Sequence, residues 1–257
     1  MIKTMLDPNA YDKIYFKDHI KYVSIDVGTS YHAPVSAQWL MAKDDLAVIG
    51  IEPCPSSIGE ITEEFIHKTP HQRISLKENG IFKDGVCIKK LNDNFMLMEC
   101  AIDNIEKASK ELLYISTVDP SASTLNVSAF EYPEYTKGNT TIESSVEVTV
   151  IPLSDLLDRL TFDYIQHIKV DAENKDPEVL ISAGEYLKKT AFVTIEMFAR
   201  TEKLSHEVLS SFGFTILDST ANYMPAVGGI NRLYGNMETI KQFDPKDIVH
   251  NYNMWRH

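Results

Sequence analysis

Cysteine is scarce in this chain: Cys54, Cys87 and Cys100 are the three in 257 residues. They form no C-x-x-C pair and no zinc-ligand spacing, which excludes a disulfide framework or a structural zinc as the organising device. An odd count without a framework fits a reducing compartment, so a cytoplasmic location is expected. Long apolar runs are also missing, and none approaches the ~18 residues needed to span a bilayer. The opening stretch, MIKTMLDPNAYDKIYFKD, is too charged for a secretory signal. Without such a signal, N-V-S at Asn126 and N-T-T at Asn139 carry no weight as glycosylation acceptors. Positive charge is in deficit, with 25 Lys and Arg against 37 Asp and Glu and a net charge of −12. That balance argues against nucleic acid or an anionic membrane as a general partner, although enough basic residues remain for a local basic mouth.

What is present is an ordinary globular composition, 44% hydrophobic and 24% charged, in a length that suits one large domain with extensions. Two strings carry most of the information. YVSIDVG (22–28) and AVIGIEP (47–53) are runs of β-formers that end in Asp26 and Glu52, and each leads into a helical pattern. Strand, turn, helix, strand and acid make the first half of a dinucleotide-type α/β fold, whose ligands bind where the strands' carboxyl ends open. Asp26 and Glu52 are therefore expected on one rim of one crevice. A plainer alternative is that Asp26 caps the next helix and Glu52 is a solvated strand end.

Further strands are expected at FMLMECAI (95–102), 112–117, 146–153, YIQHIKVDAE (164–173) and 191–198, with a terminal hairpin from 214–218 and 231–236. Helices are expected at 34–43, with Pro34 in the first turn, and at 56–68, with Ser56 or Ser57 capped against Glu60. Others are expected near 155–160, 177–187 and 202–212. Residues 69–95 read as a polar excursion with a hairpin around Lys83-Asp84-Gly85, and 118–145 as a long loop fit to be a lid. The expected organisation is an N-terminal arm (1–20), one domain (21–240) and a polar tail (241–257).

Glycine is missing where a dinucleotide site needs it. The fingerprint G-x-G-x-x-G places glycines where backbone must approach a pyrophosphate, and here the turn reads Gly28, Thr29, Ser30, Tyr31, His32, Ala33. Asp26 would also repel a phosphate, since like charges about 4 Å apart cost ~4 kcal/mol at an effective dielectric near about 20. S-adenosylmethionine carries an ammonium and a sulfonium at that end and no phosphate. It also has a ribose diol that Glu52 can hold with two charge-assisted hydrogen bonds, worth roughly 1.5–3 kcal/mol each.

On IDVG (25–28), IEPCP (51–55), ECAID (99–103) and above all IKVDAENKDPEVLISAG (168–184), the chain resembles the FkbM-type S-adenosylmethionine-dependent methyltransferases over about residues 22–198. The last string is similar to the family's strand-plus-helix signature, I-K-I-D-V-E-G-x-E-x-x-V-L-x-G-A. Asp171 and Glu173 fall on its acids, and Val179 and Leu180 on its helix core. The resemblance implies a Rossmann-like three-layer αβα sandwich, its mostly parallel seven-stranded sheet closed by an antiparallel final strand. It implies O-methylation of a hydroxyl on a sugar, glycolipid or small metabolite. By the same resemblance Asp26, Gly28 and Ser30 meet the methionine end of the cofactor, Glu52 the ribose, and Pro53, Ala101 and Ile102 the adenine. The family's G-x-N-x-G turn is altered here. Ser30 replaces the asparagine and His32 the second glycine, so the loop moves aside or His32 reaches toward substrate. Asn174 replaces the glycine after the second acid, a mild change because asparagine tolerates left-handed φ.

An alcohol acceptor needs a base, which adds typically ~10²–10⁴ in rate. Asp171 is the first candidate, Glu173 the second and His32 the third. The acids at 171 and 173 could instead only bond amides of the following helix. Asp171, Glu173 and Glu196 offer the hard oxygens a divalent cation favours, but no Asp-Asn pair follows the next strand, and no metal is expected. Two other readings stay open: an RNA ribose methyltransferase, which the charge disfavours, and a catalytically silent cofactor-binding or scaffold protein.

Overall fold

The computed structural model describes residues 14–31, 33–67, 78–81, 86–91, 93–117, 122–131, 141–217 and 230–248. In chain order the elements are β1 (Tyr22–Val27), α1 (Pro34–Ala42), β2 (Leu46–Ile51), α2 (Pro55–His67), β3 (Glu78–Ile81), β4 (Cys87–Lys90), β5 (Phe95–Glu99), β6 (Ala101–Ile102), β7 (Ser109–Ser116) and β8 (Ile142–Ile151). They continue with α3 (Leu153–Leu157), β9 (Ile165–Val170), α4 (Asp176–Ala183), β10 (Thr190–Met197), α5 (Glu202–Ser211), β11 (Phe214–Ile216), β12 (Ile230–Asn236) and α6 (Met237–Ile240).

β1, β2 and β9 are buried at nearly every position, on both faces of the sheet. Continuous runs such as LAVIGI and IQHIKV suit that burial, because helices must cover both faces of a parallel sheet. The two faces gather separate apolar layers. Val23, Ile25, Ile49, Ile168 and Val193 pack with Leu156, Val179 and Leu180 of α3 and α4. On the other side Val48 and Leu97 meet Trp39 and Leu40 of α1 and Ile61 of α2. Each fully buried side chain of this size is worth about 1.5–3 kcal/mol. The result is a Rossmann-like three-layer α/β fold.

The strand order is β11–β12–β10–β9–β1–β2–β5–β4–β3. β5, β2, β1, β9 and β10 run parallel, and β12 runs antiparallel to β10 with β11 paired to its outer edge. These strands form the seven-stranded arrangement with its reversed last strand. Among the described residues, however, the sheet holds nine strands, not the expected seven. The difference is the hairpin β3–β4, which pairs through Cys87–Lys90 with the free edge of β5. A sheet edge presents unpaired N–H and C=O groups, and a neighbouring hairpin can satisfy them.

A second correction concerns 95–102. The chain leaves the main sheet at Cys100, and Ala101–Ile102 pairs instead with β8 in a separate three-stranded sheet, β6–β8–β7. β8 starts at Ile142, inside the stretch expected to be loop. The helix α2 starts at Pro55, and the Ser57 hydroxyl makes no hydrogen bond, so the expected serine cap does not form. Of the expected arm, Ile14 is buried and bridges to Leu160, and Phe16 packs on Phe162.

Candidate active site

Register places the site. Gly50, Asp26 and Lys169 are direct partners across β2, β1 and β9, and Thr194 continues the row on β10. Two residues further on, the same row carries Glu52, Gly28 and Asp171, each just past its strand's carboxyl end, and Glu196, still within β10. The ladder continues that far: Gly28 N–H donates to Ile51 O at 3.0 Å, Glu52 N–H to Met98 O at 3.0 Å, and Asp171 N–H to Val27 O at 3.1 Å. Side chains repeat every second residue along a strand, so alternation alone brings these acids to one edge.

A cavity of about 200 Å³ opens there. Gly28, Ser30, Glu52, Pro53, Ala101, Ile102, Asp171 and Glu173 all line it. Leu113 of β7 and Ser123, Thr124 and Leu125 form its outer wall. Asp26 does not reach it. That residue is fully buried, and its Oδ2 accepts from the Ser36 hydroxyl at 2.6 Å and the Ser36 N–H at 3.2 Å, capping the first turn of α1. His32 lies outside the described residues.

Gly28 has φ 74°, and a Cβ there would stand 1.8 Å from the Asp171 carbonyl oxygen. Only glycine lets the β1 turn lie this close to the end of β9. Ser30 follows with φ 59°, a left-handed conformation unusual for serine. The turn is held because the Ser30 N–H donates to Glu52 Oε2 at 2.9 Å, while the Cys54 N–H donates to Glu52 Oε1 at 2.9 Å. Both carboxylate oxygens are thus oriented, and each keeps a lone pair for a further donor. Burial pushes the Glu52 pKa up to about 7 against those amides, which pull it down.

Across the cavity, Glu173 and Asn174 have φ values of 49° and 75°. Asp176 holds this loop, accepting from Ala172 N–H at 2.8 Å and Asn174 N–H at 3.2 Å, and its burial raises its pKa to about 7. Arg200 Nε donates to Asn174 Oδ1 at 3.1 Å. Carboxylate oxygens of Asp171, Glu173 and Glu196 lie within 4.8 Å of one another. Burial first, and then the charges of Asp171 and Glu173, hold Glu196 well above the usual carboxylate range.

No protein-family model matches the chain, and no curated protein does. Among solved structures it is similar to the methyltransferase FkbM of Methylobacillus flagellatus KT, with a TM-score of 0.47 and 13% identity over 88% of this chain. The match spans 47% of that protein, about half its length. It is also similar to the precorrin-6y C5,15-methyltransferase of Geobacter metallireducens GS-15 (TM-score 0.39, 9% identity, 84% of this chain and 80% of that one). A third is the Methanococcus jannaschii fibrillarin pre-rRNA processing protein (TM-score 0.39, 12% identity, 87% of this chain and 70% of that one). Likenesses this loose carry neither activity nor substrate across.

Two residues in the cavity region have roles that the sequence reading did not assign. Lys169 is 2% exposed and lies between two carboxylates, 3.4 Å from Asp26 Oδ1 and 3.3 Å from Asp171 Oδ2. Burial alone would lower its pKa, but Asp171 and Asp26 more than offset that and raise it. Lys175 pairs with Asp103 at 2.7 Å and ties the loop after β9 to the end of β6. A signal for Lys169 was present: a lysine inside the apolar run YIQHIKV has to be buried, and a buried charge needs partners.

Proposed function

We propose that this cavity binds S-adenosylmethionine and that the protein transfers its methyl group to a hydroxyl oxygen of a sugar, glycolipid or small metabolite. The observation that carries the reading is Glu52. Its carboxylate, just past the end of β2, is held by the Cys54 amide and by the Ser30 amide of the glycine turn, beside an apolar slot of Pro53, Ala101 and Ile102. A fixed acid next to an apolar slot suits a ribose diol and its base. Gly28 lets the turn that lines the cavity lie against the end of β9, where a side chain would strike the Asp171 carbonyl, and the acid-rich rim disfavours a pyrophosphate.

In this reading Glu52 accepts from the ribose hydroxyls, Pro53, Ala101 and Ile102 flank the adenine, and Gly28 and Ser30 border the methionine end. Asp26 acts from behind, through Lys169. S-adenosylmethionine supplies an electrophilic methyl on sulfur; the protein supplies alignment, which can be worth about 7–11 kcal/mol. Asp171 takes the proton from the acceptor hydroxyl, with Glu173 and then His32 as the next candidates. Asp171 lines the cavity just past the carboxyl end of β9, and its Oδ2 is held beside the Lys169 ammonium.

The test is transfer of a labelled methyl group to a panel of glycans and hydroxylated metabolites. Label should enter a hydroxyl-bearing acceptor, and Asp171→Asn should lower transfer by ~10²–10⁴ while donor binding persists. Label entering only RNA, or full transfer by the variant, would contradict the assignment. Donor binding without transfer to any acceptor would favour a silent binding module.

A further inference from the structure

The amino-acid end of the cavity contains a cation of the protein's own. Lys169 Nζ donates to the Gly28 carbonyl oxygen and to the Val27 carbonyl oxygen at 3.4 Å. It also sits 3.4 Å from Asp26 Oδ1 and 3.3 Å from Asp171 Oδ2. Two carbonyls and two carboxylates converging on one point form a receptor for an ammonium group, which has three N–H donors and no acceptor. Asp26 offers nothing more to a ligand, because it is fully buried and its other oxygen is taken by Ser36. Lys169 lines the cavity while being 2% exposed. A second ammonium brought to the same oxygens would meet a like charge at short range in a poorly solvated place. Moving Lys169 away would leave Asp26 buried without its counter-charge.

We propose that Lys169 fills the ammonium position of this cavity, so that the α-amino group of a bound adenosyl ligand adds little to its affinity. The inference rests on the nucleoside reading above, and it changes what selects the ligand. The acids at 26 and 171 do not read a ligand cation directly; they hold the lysine that already occupies that place.

Calorimetry on the full chain can test this without knowledge of the methyl acceptor. The probes are S-adenosylhomocysteine and its analogue lacking the α-amino group. Loss of the amino group should change affinity by no more than about threefold, well short of the effect of a charge-assisted hydrogen bond. A tenfold or greater loss with the amino group removed would overturn the proposal. No binding of S-adenosylhomocysteine itself would overturn the nucleoside reading instead. The wild-type comparison is decisive alone. A double variant, Asp26→Asn with Lys169→Met, removes the buried pair together and should make the α-amino group worth roughly tenfold; an unchanged analogue ratio in that folded variant would also contradict the proposal.

Discussion

Asp26 and Glu52 look alike in sequence, each a carboxylate closing an apolar strand, yet the fold uses them differently. Glu52 is the first residue past β2 and borders the cavity; Asp26 lies within β1 and turns under α1 to Ser36. Strand alternation predicted that both would lie toward the same end, but not which would be covered by the following helix, because that depends on how α1 packs. The turn between them is similarly half legible. Ser30, where the resembled family has asparagine, adopts φ 59°. Ser30→Asn should therefore stabilise the fold by about 0.5–1 kcal/mol, read by denaturant titration; a loss of stability would show that the hydroxyl has a role of its own. His167 gives a pH prediction. It is buried between Trp39 and Phe192, bonded to Thr194 Oγ1 at 2.8 Å, and burial lowers its pKa to about 3. The unfolded chain charges this imidazole near 6.5 and the folded one does not. Its stabilising contribution is thus complete above that pH and is lost toward 3, at ~1.4 kcal/mol per unit. Glu52 and Asp176, both raised to about 7, act oppositely, since their contribution declines as pH rises from their unfolded values near 4 toward 7. The diagnostic is therefore a difference. Between pH 7 and pH 5, His167→Gln should lose roughly 1–2 kcal/mol less stability than the wild type; equal losses would contradict the neutral assignment.

Among the elements, the central strands were readable because fully buried parallel strands must be continuous apolar runs. The hairpin β3–β4 was readable as a hairpin but not as part of the main sheet. Its partner is the β5 edge, and nothing local in either segment specifies that pairing. The division of 95–102 between two sheets was hidden for the same reason: both halves are apolar, and only long-range pairing separates them at Cys100. The 122–131 segment, expected as loop, is a strap over the cavity. Thr124 exchanges backbone hydrogen bonds with Tyr114, and its hydroxyl donates to the Glu173 carbonyl at 2.7 Å while accepting from Asn126 N–H at 3.0 Å. Thr124→Val keeps the shape and removes both hydroxyl bonds, which should cost about 1–3 kcal/mol. Amides of 122–131 should then exchange hydrogen faster than those of β9. Unchanged exchange would mean that the backbone pairing with Tyr114 holds the strap unaided.

At the scale of the molecule, the chain's charge is −12, and several of its acids gather at the carboxyl ends of the central strands, compensated locally by Lys169 and Lys175. Composition gave the sign of that balance but could not show that a buried lysine sits inside it. That placement is set by the register between β1 and β9, which pairs Asp26 with Lys169. The position of Glu52 beside an apolar slot needs the whole strand order as well, because Ala101 and Ile102 reach it from the second sheet. The claim on which the account depends is that this edge receives an adenosine carrying an amino acid and excludes one carrying a pyrophosphate. Calorimetry with S-adenosylmethionine and with NAD tests it most directly. The account predicts binding of the first and none of the second, with Glu52→Ala weakening the first by about 10²-fold or more through loss of two charge-assisted hydrogen bonds. Strong heat from NAD and none from S-adenosylmethionine would contradict it.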